Sequence, residues 1–497
     1  MAHHFDVFTT NAVDLQNLLQ ANKITSVQIV DVYLAQISRH EPRLDAFICL
    51  APIDVLNATA TLLDQERLQG RSRGPLHGIP IVLKDCFITA STLGMGTTAG
   101  AAALVNAKAS VNGAVVQRLL DAGLIIVGKT NMTEFAGMKT DMVMPGWSAV
   151  GGQTLSPYVA RLEPNETMLG HSAPGGSSTG SAVAVAAGFS PLAMGTETIG
   201  SIVTPATRAA LYALKPTVGV QDTAGMYTMT DFFDSPGPMA KCAADVLLLA
   251  ETLLGRSLRS PDLQTWEGLS AAFLDPRVWK MAEPMCRQFE GTAEQMEQDY
   301  ETVVHKLKAQ GCSVKYPVNL EDTGALTVDG GQAIMPIAFW EFKNVCLPRF
   351  LGAFDESPIR SLADLVGYNE QHRDRCLPPP FTEQTDLIEA LNNDNTAEHI
   401  AKLKGELRAV GKRILDHVFD GEGVNLIIAP GDAPLCVHAA AAGYPVATVP
   451  VGQLKYNGRP FGLCLVAREN DEERLLRFMT AYETFVAEPR AVPTGCS

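Results

Sequence analysis

Apolar residues recur at helical spacing through the first 70 or so residues. Leu15, Leu18 and Leu19, then Val27, Val30, Leu34 and Ile37, share one face of a 3.6-residue repeat. Thr25 or Ser26 stands where an N-cap belongs. The pattern changes at Gly78-Ile79-Pro80-Ile81-Val82-Leu83, a short apolar run that predicts a buried strand. Val115, Val116, Leu119 and Leu120 predict a helix over 110–122, which Gly123 is placed to end. Leu124-Ile125-Ile126-Val127, closed by Gly128, then reads as a strand covered on both faces, which points to parallel pairing.

From Gly175 to Pro216 the chain is dominated by Gly, Ser, Thr and Ala, small residues that let backbone segments approach each other and a ligand. Between about 256 and 420 charge increases, and Pro378-Pro379-Pro380 break the periodicity. This stretch is expected to be a more exposed, helix-rich insertion. Residues 424–429 and 445–451 return to buried-strand character, so the chain comes back into its first core. That favours a single α/β domain over 1–497 rather than a string of small ones. No internal repeat is visible.

The chain has 497 residues, 46% hydrophobic and 19% charged, enough to bury a sizeable core. Its net charge of −15 argues against nucleic acid, which needs a basic footprint. Ten cysteines are scattered from Cys49 to Cys496 with no CxxC pair, against both a disulfide framework and a zinc site. Reduced thiols in a cytoplasmic protein are expected. The N-terminus lacks the apolar core of a signal peptide, and no run of about 18 apolar residues predicts a membrane span. Cys496 is one residue from the end, so it forms no prenylation box.

No H-E-x-x-H, P-loop or EF-hand spacing occurs, so neither a metal nor another cofactor is expected. Gly94-Met95-Gly96-Thr97-Thr98-Ala99 loosely matches a dinucleotide loop but follows Thr-Ala-Ser-Thr rather than a strand. Gly176-Ser177-Ser178-Thr179-Gly180 fits G-x-S-x-G with Ser178 as nucleophile. That elbow needs a strand before it and a helix after it. The helix is expected over 181–187, but residues 163–175 read as loop. A further serine, Ser201, ends the glycine-rich Gly195-Thr196-Glu197-Thr198-Ile199-Gly200. Upstream, Lys84 closes an apolar strand, a costly place for a charge unless it is paired or neutral. It reads equally as half of an ion pair with Asp85 and as a general base whose pKa burial lowers.

At these residues the chain resembles the amidase signature hydrolases, as a fungal-type or similarly divergent member. Gly78 to Asp85 looks like their lysine motif, and Pro174-Gly175-Gly176-Ser177-Ser178-Thr179-Gly180-Ser181-Ala182 like their glycine–serine stretch. Gly195 to Ile202 is similar to the segment that carries their nucleophile. Supporting matches are Gly128 to Phe135, Leu214-Lys215-Pro216-Thr217-Val218-Gly219, Gly443-Tyr444-Pro445 and Gly458 to Leu463. The resemblance is dense over about 75–240, returns over 425–478, and leaves 256–420 unmatched.

The resemblance implies a mixed, largely parallel sheet between helical layers. It also implies a Ser–cisSer–Lys triad that cleaves the C–N bond of a small-molecule amide through an acyl-enzyme. Carried over, Ser201 is the nucleophile, Ser177 the bridging serine in a cis peptide, and Lys84 the base. Backbone N–H groups of Thr198, Ile199, Gly200 and Ser201 form the oxyanion hole, and a serine hydroxyl needs such a neighbouring base to attack. Lowering a lysine by three pKa units costs roughly 4 kcal/mol, which burial can supply.

The chain also departs from the family. Glu197 stands where aspartate is usual, Ile199 where the first glycine is usual, and Val203 in place of an arginine. Ile199 would be strained at positive φ, and Arg208 is the expected substitute partner for Glu197. The aspartate–proline context before the glycine–serine stretch is missing.

Cys86 reads as a small buried residue, and His77 and His171 as loop hydrogen-bonding groups. Trp147 reads equally as an acyl-pocket wall and as core. Pocket residues are expected from 138–155 and 256–420. The substrate is expected to be a small-molecule amide or ester, with room for a homodimer. The alternatives are an esterase, an acyl transferase or cyclase, a non-catalytic scaffold and an amidotransferase subunit.

Overall fold

The computed structural model describes residues 5–259, 264–283 and 285–496. The N-terminal helices form as the periodicity dictates: Ala12–Gln20, Ser26–His40 and Ile53–Leu68. Thr25 caps the second, its hydroxyl accepting the Gln28 N–H at 3.2 Å. Phe47–Leu50 departs from the all-helical expectation. Its four residues are β-favouring and too short a run for a helix, and they pair on a sheet edge.

Eleven strands form one sheet among the described residues. In chain order they are β1 Phe47–Leu50, β2 Pro80–Lys84, β3 Ile125–Thr130, β4 Leu192–Glu197, β5 Tyr212–Lys215, β6 Ser235–Ala240, β7 Ser270–Leu274, β8 Ser313–Val318, β9 Leu426–Pro430, β10 Val446–Gln453 and β11 Pro460–Val466. Their spatial order is β1-β3-β2-β4-β6-β5-β10-β11-β9-β7-β8. The helix Ala114–Asp121 precedes β3 as expected, and Gly123 closes the connection at φ 81°.

The sheet is mixed, as expected, but its parallel share is smaller than expected. Four neighbouring pairs are parallel and six are antiparallel. The antiparallel centre arises because β6 enters between β4 and β5, and β10 and β11 form a hairpin beside β5. The insertion is likewise not purely helical. Within 256–420, β7 and β8 extend the main sheet alongside β9.

Strand alternation places two apolar cores on opposite faces. Ala271, Phe273, Leu426, Ile428, Leu463 and Leu465 join the larger core with Leu475, Leu476 and Met479 of the helix Glu472–Phe485. Ala272, Leu274, Ile427, Ala429, Cys464 and Val466 face the second core. There they meet Leu415, Val418 and Phe419 of the helix Ala397–Glu422 and Leu435 of the helix Leu435–Ala442. With both faces covered, the strand ends become the places where polar chemistry can gather. Among the described residues no helix is long and apolar enough to cross a membrane.

Candidate functional site

Lys84 is the last residue of β2, and β2 is buried at all five positions. Its neighbour β4 runs parallel to it and ends at Glu197, so Lys84 and the loop after β4 meet at the same edge of the sheet. Lys84 Nζ donates to Ser177 Oγ at 2.8 Å, to Thr196 Oγ1 at 2.9 Å and to the Thr196 carbonyl at 3.2 Å. Lys84 does not pair with Asp85. That carboxylate turns to Lys129, 3.1 Å away and equally buried. Burial therefore decides the state of Lys84. Desolvation brings it down from 10.5 to about 8, although Cys86, Asp234 and Glu197 oppose the shift. A useful fraction is then neutral near physiological pH.

Ser177 reaches Lys84 from a loop. The Gly176–Ser177 peptide is cis, and the Ser177 carbonyl accepts the Thr133 N–H at 3.2 Å. No strand precedes this loop over 163–175, and the helix Thr179–Ala186 follows it. The elbow geometry that would present Ser178 is therefore missing. Ser178 is fully buried; its hydroxyl donates to the Thr196 carbonyl at 3.0 Å and accepts the Thr196 N–H at 3.2 Å. Its own N–H donates to the Ser201 carbonyl at 3.1 Å. Ser178 thus docks the loop of Ser201 against the loop of Ser177.

Ser201 Oγ makes no hydrogen bond among the described residues, and the residue keeps 7% exposure. The structure joins Lys84 to Ser177 directly, and Ser201 to them through Ser178 and the backbone. Beside Ser201, the N–H groups of Ile199 and Gly200, like its own, are unengaged among the described residues. The left-handed turn of this loop falls on Gly200, at φ 76°, and not on Ile199, so the branched side chain is unstrained. Ile199 packs against both the second core and a satellite cluster that contains Phe232 and Ile337.

The Amidase family model matches residues 28–436. The chain belongs to the amidase family. It is similar to the peptide amidase of Stenotrophomonas maltophilia, 32% identical at a TM-score of 0.84, covering 98% of this chain and 99% of that one. It is also similar to an amidase family protein of Bacillus anthracis, 25% identical at a TM-score of 0.83, covering 98% and 93%. A glutamyl-tRNA(Gln) amidotransferase subunit of Chloroflexus aurantiacus is 30% identical, covering 97% of this chain and 96% of that one.

One expectation for the amidase loop is overturned. Arg208 does not replace the missing arginine beside Glu197. It donates to the carbonyls of Leu169, Gly170 and Ala173 and to Asp432 at 3.0 Å. It sits one residue past the helix Val203–Thr207, which carries it away from the loop. Glu197 Oε2 is met from the backbone instead, by the N–H groups of Ile202 and Val203, while its buried Oε1 has no hydrogen-bond partner among the described residues.

Two charged groups of the site were given no role in the sequence analysis. Lys215 Nζ donates to the Thr198 carbonyl at 2.7 Å, and burial lowers its pKa. Asp234, just before β6, is pushed up to about 6 by burial, against the hydrogen bond from the Met229 N–H. The available signal was a charge at the end of a buried strand, the signal that marked Lys84.

The other conspicuous residues are structural. Burial raises the Cys86 thiol to about 11. His77 meets the Leu63 carbonyl at 2.8 Å, and Trp147 is buried against Phe381 with ring centroids 4.2 Å apart.

Proposed function

We propose that the protein hydrolyses the C–N bond of a small-molecule amide through an acyl-enzyme on Ser201. The observation that carries this reading is the 2.8 Å contact between Ser177 Oγ and a buried Lys84 held near 8. Ser201 Oγ attacks the carbonyl carbon and gives its proton to Ser177, whose own proton passes to neutral Lys84. The N–H groups of Thr198, Ile199, Gly200 and Ser201 take up the charge on the carbonyl oxygen, where one donor is typically worth roughly 3–4 kcal/mol. The C–N bond breaks as the leaving nitrogen takes the proton back along the same path. Water then repeats the attack on the ester and releases the acid and Ser201. No step calls for a metal or cofactor.

Likeness to a peptide amidase makes peptide amides the first substrates to try. Likeness to an amidotransferase subunit supports a second reading, in which partner proteins are needed. Turnover of an amide by the isolated chain counts against that reading. The one sheet that draws strands from Phe47 to Val466 supports treating the chain as a single domain, and ten free cysteines suit a cytoplasmic setting.

The deciding experiment is covalent labelling with a phosphonylating serine reagent, followed by peptide mapping. The adduct is expected on Ser201, lost in Ser201→Ala and formed much more slowly in Ser177→Ala. An adduct on Ser178 would overturn the assignment, and no adduct at all would favour a scaffold.

A further inference from the structure

Four ionisable side chains stand at one edge of the sheet. Lys84 ends β2, Glu197 ends β4 and Lys215 ends β5, while Asp234 immediately precedes β6. β2 and β4 are parallel, and β4 and β5 each pair antiparallel with β6. All three strands therefore run the same way and finish at the same edge. The proposed reaction uses Lys84, and Glu197 Oε2 ties down the loop after β4. Neither gives Lys215 a part.

Lys215 has no exposure, a costly place for a charge unless its surroundings hold it. Burial lowers its pKa and Arg408 adds to that, while Glu197, Asp234 and Cys436 favour the ammonium. Its Nζ donates to the Thr198 carbonyl at 2.7 Å, the short distance of a charge-assisted bond.

That carbonyl shares a peptide with the Ile199 N–H. The cis peptides of the described residues lie elsewhere, so this one is planar and trans, and its carbonyl and N–H point in opposite directions. Fixing the Thr198 carbonyl on Lys215 thus turns the Ile199 N–H away from the lysine, where no hydrogen bond engages it among the described residues. The peptide after next repeats the pattern. The Gly200 carbonyl accepts the Thr204 N–H at 2.8 Å, and the Ser201 N–H on its far side is unengaged among the described residues. Two of the proposed oxyanion donors therefore sit on peptides held from behind, one by a neutral amide and one by a buried lysine. A cation on a carbonyl polarises the peptide and strengthens its N–H as a donor, as linked hydrogen bonds do.

We propose that Lys215 is a positioning residue for the acyl transfer, aiming the Ile199 N–H at the carbonyl oxygen under attack and strengthening it as a donor. The proposal rests on the reading of Ser201 as nucleophile. Lys215 acts through the Thr198–Ile199 peptide and exchanges no proton in the reaction.

The test uses the full-length protein and a fluorophosphonate reagent, with labelling resolved into reversible binding (KI) and the covalent step (kinact). The parent must first label on Ser201; an adduct elsewhere, or none, removes the nucleophile reading and this proposal with it. Lys215→Met keeps the length of the side chain and removes donor and charge. It should lower kinact about tenfold to hundredfold, short of the 10²–10³-fold typical of deleting an oxyanion donor outright. KI should change less than about twofold, as for a contact that matters only in the transition state. The pH midpoint of kinact should stay at about 8, because Lys215 is not among the groups that shift Lys84. Lys215→Gln keeps an N–H donor without the charge, so its kinact should fall between those of the parent and Lys215→Met. It also decides the matter alone if Lys215→Met does not fold. Parent-like kinact in either folded variant overturns the role of Lys215 and leaves Ser201 in place. A loss confined to KI or to melting temperature does the same, as does a pH midpoint displaced from about 8.

Discussion

Glu197 Oε2 lies 2.6 Å from the backbone nitrogen of Ile202. The same oxygen accepts the Val203 N–H at 2.9 Å, so one carboxylate ties the end of β4 to the residues just after Ser201. With valine at position 203, the backbone supplies two donors to Oε2, and Oε1 has no hydrogen-bond partner among the described residues. Glu197→Ala should leave two buried N–H groups unsatisfied and cost about 2–4 kcal/mol. Glu197→Gln keeps an acceptor and should stay within about 1 kcal/mol of the parent. Chemical denaturation of the two variants reads the difference, and equal losses would show that the contact does not hold the loop.

In the mechanism proposed above, Lys84 sets the pH dependence: its neutral amine is the active form there, and burial has lowered its pKa from 10.5 to about 8. Turnover should therefore rise with pH up to about 8 and level off above it. Lys84→Ala should reduce kcat by about 10²–10⁴-fold with the fold retained by circular dichroism. A flat profile across this range, or near-normal turnover by the variant, would remove Lys84 as the base.

Ser178 should prove structural. Ser178→Ala strips both Thr196 backbone groups of their hydroxyl partner, at a cost of about 1–3 kcal/mol. Reaction with the phosphonylating reagent should persist at a reduced rate. A normal melting temperature combined with abolished labelling would reverse the roles of stability and chemistry assigned to this serine.

Gly200 carries the turn just before Ser201, the proposed nucleophile, at φ 76°. A Cβ there would meet Thr204 Oγ1 at 3.0 Å and Cys436 Sγ at 3.3 Å. Gly200→Ala should cost more than about 1 kcal/mol through backbone conformation alone. It should also lower kcat more than it raises KM, because it moves the N–H groups assigned to the developing oxyanion. Steady-state kinetics with unchanged kcat would contradict that placement.

Asp432 supplies a second pH test, on stability. Burial opposes its ionisation, but the guanidiniums of Arg208 and Arg459 outweigh burial and hold the carboxyl well below its ordinary range. Its contribution is thus fully present above about pH 4 and is lost as pH falls towards the lowered folded value. Asp432→Asn should cost about 3–5 kcal/mol at neutral pH by leaving two buried guanidiniums unpaired. The gap between parent and variant should narrow as pH drops from 4 to 2. A gap independent of pH would mean that packing, not charge, accounts for the loss.

The chain's own pattern of residues determined several of the buried strands and the segments proposed to carry the chemistry. Apolar runs at 78–83, 124–127, 424–429 and 445–451 became β2, β3, β9 and β10, because a short continuous apolar run makes a strand that is covered on both faces. Lys84, Ser177 and Ser201 each stood out in a short contiguous motif. Tertiary structure decided what local pattern does not encode, namely which strands are neighbours and which charges meet. β6 entered between β4 and β5 and made the centre antiparallel, and β7 and β8 left the helix-rich insertion for the main sheet. Lys84 met Ser177 across 93 positions. Arg208 passed over Glu197, its near neighbour in the chain, for Asp432, 224 positions away. A buried ion takes whichever partner the packed chain brings within about 3 Å in the right orientation, and that distance exists only once the sheet has closed around it.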